Sequence, residues 1–142
     1  MIGMEILKPV VVLAGWTMIM WIWMFATRIP AMGAAKIDSA NMVGGTGKDL
    51  DGQLPEKTMW VAHNYNHLHE APTVFYAVAI VLAVIGQGDG LNATLGWSYV
   101  ILRILHSLVQ ATFNRVMVRF LIFVLSSLVL MALTVHALLA LF

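Results

Sequence analysis

Residues 120–142 read FLIFVLSSLVLMALTVHALLALF, 23 consecutive positions without a formal charge. A helix needs about 20 predominantly apolar residues to span the hydrocarbon core of a bilayer, so this stretch is expected to cross a membrane. Two further charge-free runs have the same reach: 19 residues from Pro9 to Thr27 and 18 from Ala71 to Gly88. The stretch from Ala93 to Phe113 is also long enough but holds Arg103 at its middle. It reads as a fourth helix with a buried charge, because two half-spans would leave backbone groups unpaired in lipid. The expected helices are 6–30, 58–86, 93–113 and 116–141. Short connections at 87–92 and 114–115 make neighbours antiparallel. The fold class is all-α, an integral membrane four-helix transmembrane bundle of up-down topology, with one domain over 1–142.

Composition agrees. Hydrophobic residues make up 61% of the 142 and charged residues 11%, against roughly 45–50% and about 25% in a soluble domain. A soluble fold of this size cannot hide so much apolar surface, which excludes a free globular enzyme and a disordered tail. A net charge of +1 gives no footprint for nucleic acid. The absence of cysteine excludes disulfides, a thiolate metal site and a cysteine nucleophile. The first span is longer than a signal peptide's apolar run, and no basic segment precedes it beyond Lys8, so it is expected to be retained. The segment 31–57 is the one long loop, polar and glycine-rich at Gly44, Gly45, Gly47 and Gly52. Its Gly44–Asp49 run lacks the spacing of a phosphate-binding loop. Arg28, Lys36, Lys48, Lys57, Arg115 and Arg119 fall on one side of the membrane and Lys8 alone on the other. That bias places the loop in the cytoplasm and both termini outside, with Trp60 and Trp97 near opposite faces.

Ionisable groups inside a span are costly unless paired and point to function by default. The second span opens Trp60-Val61-Ala62-His63-Asn64-Tyr65-Asn66-His67-Leu68-His69-Glu70. His63, His67 and Glu70 stand at i, i+4, i+7 and share a helix face that Asn66 flanks. Arg103, His106 and Gln110 form a similar stripe on the third. Glu70 and Arg103 each lie ten residues from a cytoplasmic helix end, a depth of about 15 Å. A Glu70–Arg103 ion pair is therefore expected at the floor of a polar cleft, with His106 near His67 and Gln110 near His63. Arg28 and Arg119 would stand at its rim. A lone buried pair could serve only to fix helix register, but that leaves the gathered histidines, Asn66, Gln110 and arginines unexplained. His136, alone on the last helix, reads as a packed or interfacial histidine, and Arg115 as a topology anchor.

The run Asn64-Tyr65-Asn66-His67-Leu68-His69-Glu70-Ala71-Pro72 with Phe75-Tyr76 resembles the second helix of bacterial MAPEG proteins, the membrane-associated proteins in eicosanoid and glutathione metabolism. Tyr99-Val100-Ile101-Leu102-Arg103-Ile104-Leu105-His106-Ser107 is similar to the family's third helix, and the likeness continues through Asn114-Arg115 to Arg119. It covers essentially the whole chain. The resemblance implies a homotrimer of four-helix subunits in a bacterial inner membrane. Glutathione, as cosubstrate, would lie between subunits, and a lipophilic substrate would enter from the bilayer. Arg28, Asn66, Glu70, Arg103, His106 and Arg119 match positions that contact glutathione or build its pocket, with His63, His67 and Gln110 on the same stripes. Arg119, in the first turn of the last helix, is the expected catalytic residue, since its charge and the helix dipole would favour thiolate. No metal is implied.

The chain departs from the family pattern at several positions. His63 stands where many members carry arginine, Gln110 where a tyrosine follows the third-helix histidine, and Phe120 where a hydroxyl often follows the fourth-helix arginine. Asn66 lies four residues before Glu70, an altered spacing. Four functions remain open from sequence. The first is a glutathione-dependent transferase or peroxidase acting on lipophilic electrophiles or lipid hydroperoxides. The second is a non-catalytic protein of the same fold that binds a lipid or partner. A metal site at His63, His67, Glu70 and His106 is the third, disfavoured by Arg103 at the same depth. The last is a proton or ion pathway, disfavoured by the apolar outer half of the spans.

Overall fold

The computed structural model describes all 142 residues. Five α-helices follow one another: α1 (Leu7–Ala34), α2 (Glu56–His67), α3 (Ala71–Val84), α4 (Leu91–Ala111) and α5 (Val116–Leu141). A single 3-10 turn, Gly47–Leu50, interrupts the α1–α2 loop, and there are no strands. α2 and α3 are two halves of one rod, so the bundle has four rods. Three of these, α1, α2–α3 and α5, are long and apolar enough to cross a membrane. α4 is the fourth, a 21-residue helix that packs against α1, α2 and α5. The fold is a membrane-spanning four-helix bundle, as the charge-free runs imply.

The second span is not the unbroken helix expected over 58–86. It breaks at Leu68–Glu70, where Glu70 adopts φ −93°, ψ −103° and precedes the first residue of α3. Pro72 causes the break: it has no N–H for the Leu68 carbonyl, and its ring would collide with that carbonyl in a continuing helix. Side chains then satisfy backbone groups that lipid cannot. The His69 ring Nδ1 donates to the Tyr65 carbonyl at 2.9 Å, in place of an amide one turn on. Thr73 closes the start of α3 by donating both its amide (3.1 Å) and its hydroxyl (2.7 Å) to the Glu70 carbonyl.

α4 is inverted relative to a helix of a soluble protein. Its inward face carries Asn92, Tyr99, Arg103, His106, Ser107 and Gln110, all buried. Its outward face carries Trp97, Ile101, Leu105 and Leu108, all exposed. With hydrocarbon outside, apolar side chains belong on the surface and polar ones must find partners within. Aromatic packing at the inner face of α3 supports this face, with Phe75 stacked on Tyr99 at 4.5 Å between ring centroids. Hydroxyls elsewhere in the spans fold back onto their own helix, as Thr17 does onto the Leu13 carbonyl (3.0 Å) and Thr134 onto Leu130 (2.8 Å).

Both termini and the 85–90 turn share one end of the bundle. Gly3 N–H donates to the Ala83 carbonyl (2.8 Å) and Ile6 N–H to the Gly88 carbonyl (2.9 Å). Glu5 N–H donates to the Asp89 carboxylate (3.0 Å). This approach is close enough that a Cβ on Gly88 would collide with the Gly3 carbonyl and meet Ile6 Cγ2 at 2.8 Å. At the other end, the α1–α2 loop packs Leu50, Leu54 and Met59 against Ala31, Met32 and Ile37. Its Gly44–Asp49 run forms a turn in which Thr46 N–H donates to the Asp49 carboxylate (2.6 Å). Gly88→Ala is expected to lower stability by about 1–3 kcal/mol, as overpacking does, while Gly15→Ala, with nothing within 4 Å, leaves it unchanged or raises it. Thermal unfolding of the two variants in detergent checks the contrast.

Candidate functional site

At the loop end of the bundle, a cavity of about 310 Å³ is lined by His67, His106, Gln110, Val116, Arg119, Phe120 and Phe123. Three elements build it. α4 contributes His106 and Gln110 from its polar inner face. α5 contributes Val116, Arg119, Phe120 and Phe123 from its first two turns. His67, the last residue of α2, enters because the helix stops there. The α4–α5 turn that sets this geometry is tight: Asn114 takes φ +47°, a left-handed conformation that asparagine tolerates, and donates its N–H to the Val109 carbonyl at 2.7 Å.

The cavity has a polar wall and an aromatic wall. His67 and His106 lie with ring centroids 4.9 Å apart, and Phe123 packs on both at 6.0 and 6.4 Å. His67 Nδ1–H donates to Glu70 Oε2 at 2.9 Å, which fixes the ring orientation. His67 Nε2, His106 Nδ1 and Gln110 Oε1 are buried with no hydrogen-bond partner in the chain. Arg119 sits in the first turn of α5, where its charge adds to the positive end of the helix dipole. A cation and several unpaired polar atoms thus face an apolar surface across one cavity.

Arg103 lies deeper and is fully buried, and none of its three nitrogens has a hydrogen-bond partner. The expected Glu70–Arg103 ion pair is not formed. The helix break at 68–70 turns the Glu70 carboxylate outward, 67% exposed, onto His67. His63 also departs from expectation: it faces out of the bundle and meets Asp51 of the loop at 3.1 Å, away from Gln110. Asn66 is exposed. Arg28 does not line the cavity. It packs beside the loop, where a Cβ on Gly47 would stand 3.1 Å from its guanidinium. Of the nine residues singled out from sequence, the cavity brings together His67, His106, Gln110 and Arg119.

Two polar residues to which the sequence assigns no role hold the interior together. Ser107 Oγ accepts both the Trp16 indole N–H at 2.9 Å and the Asn64 amide at 2.6 Å, joining α1, α2 and α4. Asn64, not His63, is the inward polar residue of α2 and is fully buried. The signal for Ser107 was available, since it stands one turn after Arg103 and so belongs to the same stripe. The signal for Asn64 was register: the inward residues of α2 include Val61 and Leu68, and the i, i+3, i+7 series from Val61 passes through position 64. Ser107→Ala removes one acceptor from two donors and is expected to cost about 1–3 kcal/mol for each buried group left unpaired. The checks are a lower unfolding temperature and a shifted Trp16 fluorescence emission.

No curated protein and no solved structure matches the chain. The chain matches the MAPEG family over residues 6–139. That span takes in all but the ends of the chain, including the polar face of α4 and the cavity at the start of α5, and the fold of the family is the four-helix membrane bundle found here. The chain is therefore a member of the MAPEG family, membrane proteins of glutathione and eicosanoid metabolism.

Proposed function

We propose that this protein is a glutathione-dependent membrane enzyme, a transferase or peroxidase that acts on lipophilic electrophiles or lipid hydroperoxides. The observation that carries this reading is the cavity that sets Arg119, His67, His106 and Gln110 against Val116, Phe120 and Phe123. An anionic thiol peptide suits the polar wall, and an apolar electrophile arriving from lipid suits the aromatic one. Glutathione supplies a nucleophilic or reducing thiol. Arg119 holds that thiol as thiolate by its positive charge at the α5 N-terminus. Arg103, buried beneath the cavity with no partner in its own chain, adds a positive charge below it that favours a carboxylate. Glu70 receives an ammonium group. Arg28, His63 and Asn66 complete the binding surface from the loop-facing side.

The exposed polar face of α2 supports a homotrimer. Glu70 is 67% exposed and His63 46%, and Asn66 lies on the same outward surface. A carboxylate turned toward hydrocarbon costs several kcal/mol, so a neighbouring copy is needed to cover it. The site then includes residues of two subunits. The six-to-one excess of lysine and arginine supports a cytoplasmic α1–α2 loop with both termini outside, in a bacterial inner membrane. A non-catalytic lipid- or partner-binding protein is the second reading, favoured by Phe120, which offers no hydroxyl beside Arg119.

Calorimetric titration of glutathione into the detergent-solubilised protein tests the enzyme reading. Saturable binding is expected, weakened by Arg119→Ala at least about fivefold, or about 1 kcal/mol. Absence of binding at millimolar glutathione would sink the enzyme reading and favour the non-catalytic one. Native mass spectrometry is expected to show three subunits, and a Glu70→Gln variant is expected to keep the trimer while losing glutathione affinity.

A further inference from the structure

We propose that a second cavity, at the end of the bundle that carries both termini, binds the ammonium headgroup of a phosphatidylethanolamine lipid. The cavity measures about 490 Å³ and lies between the 85–90 turn, the start of α4 and the end of α5, lined by Gln87, Asp89, Leu91, Asn92, His136 and Leu139 among others. α4 and α5 run from this cavity to the one around Arg119, so the two sit at opposite ends of the same helix pair.

Its polar groups are oriented as acceptors. Asn92 Nδ2 donates to the Gln87 carbonyl at 2.8 Å, which turns Oδ1 of the same amide toward His136 Nδ1 at 2.6 Å. Because an amide oxygen only accepts, Nδ1 carries the proton, and when the ring is neutral Nε2 is left as an acceptor. One oxygen of Asp89 accepts the Glu5 N–H, and its carboxylate makes no ion pair. Lys8, near the start of α1 at this end of the bundle, is held by Glu5 at 2.8 Å. A carboxylate and an imidazole lone pair therefore line one cavity with no cation of the chain bound to either. Leu91 and Leu139, 64% and 77% exposed, flank them with apolar surface against which an acyl chain would pack. A primary ammonium supplies three N–H donors to such acceptors, whereas the trimethylated ammonium of choline supplies none. An anionic headgroup is the competing occupant, since the first turn of α4 has no side-chain cap, but the Asp89 carboxylate opposes it.

Native mass spectrometry of the protein released from nanodiscs of equal phosphatidylethanolamine, phosphatidylcholine and phosphatidylglycerol tests the proposal. Retained lipid is expected to be enriched in phosphatidylethanolamine over phosphatidylcholine by about fivefold or more, a difference of about 1 kcal/mol. Asp89→Asn keeps an acceptor for Glu5 N–H, and His136→Gln keeps a donor for Asn92. Each is expected to fold with unchanged helical content and to bring the enrichment to within about twofold of parity. Equal retention of the two zwitterionic lipids, enrichment of phosphatidylglycerol, or enrichment untouched by both variants overturns the proposal. So does thermal stabilisation of the protein by soluble phosphoethanolamine in phosphatidylcholine discs without any lipid enrichment. Glutathione binding at the Arg119 cavity is expected to be unchanged in both variants, which keeps this site separable from the other.

Discussion

The buried guanidinium of Arg103 is the constraint on which the rest of the bundle turns. It sits at the middle of α4 with no exposure and no hydrogen-bond partner. Only a face covered by other helices can hold a charge at that depth, so the Arg103 face of α4 packs against α1, α2 and α5. Its neighbours on the same face follow from this. Ser107 gathers the Trp16 and Asn64 side chains, Tyr99 stacks on Phe75, and His106 reaches His67. The outer face of α4 is left to apolar residues because lipid is what it meets. Polarity inside and apolarity outside are two consequences of one solvent.

Much of this was legible because charge is so scarce in the chain. Where lysines, arginines and acids are absent for about 20 residues, a span is required, and α5 runs over 116–141 as its charge-free stretch implies. Antiparallel arrangement of α4 and α5 follows from a turn too short for anything else. Depth counted along each helix also placed His106 beside His67. Rotation about the axis was harder to read. On α2 the sequence offers polar residues at 63, 64, 66 and 67, and periodicity alone cannot say which faces inward. Packing chose Asn64, and His63 went to the loop and Asp51.

The break before Pro72 explains why the expected Glu70–Arg103 pair is absent although His106 lies beside His67. A continuous helix would carry Glu70 on the face of His63 and His67. Three residues of turn at 68–70 rotate the carboxylate outward and leave it on His67. Proline in the second span was visible in the sequence, but a proline can kink a helix or end it, and the choice depends on whether other groups satisfy the freed carbonyls. Here His69 and Thr73 do so. The break therefore creates two things at once: an end to α2 that brings His67 into the cavity, and an acidic group that points away from its own subunit.

An outward-facing carboxylate between two apolar helix segments also bears on what a single copy of the chain can be. Within one subunit the polar surface is divided. Arg103, His106 and Gln110 face inward from α4, while Glu70, Asn66 and His63 face outward from α2. The first half lacks acceptors for a guanidinium, and the second leaves the Glu70 carboxylate 67% exposed even while it accepts from His67. A neighbouring copy that covered the α2 surface would relieve the second deficit. A polyanion with an amino group, seated between the halves, would relieve the first. If the proposed assembly and ligand hold, the two would relieve complementary shortages, so binding is expected to depend on assembly even though Arg119, His67, His106 and Gln110 already converge within one chain.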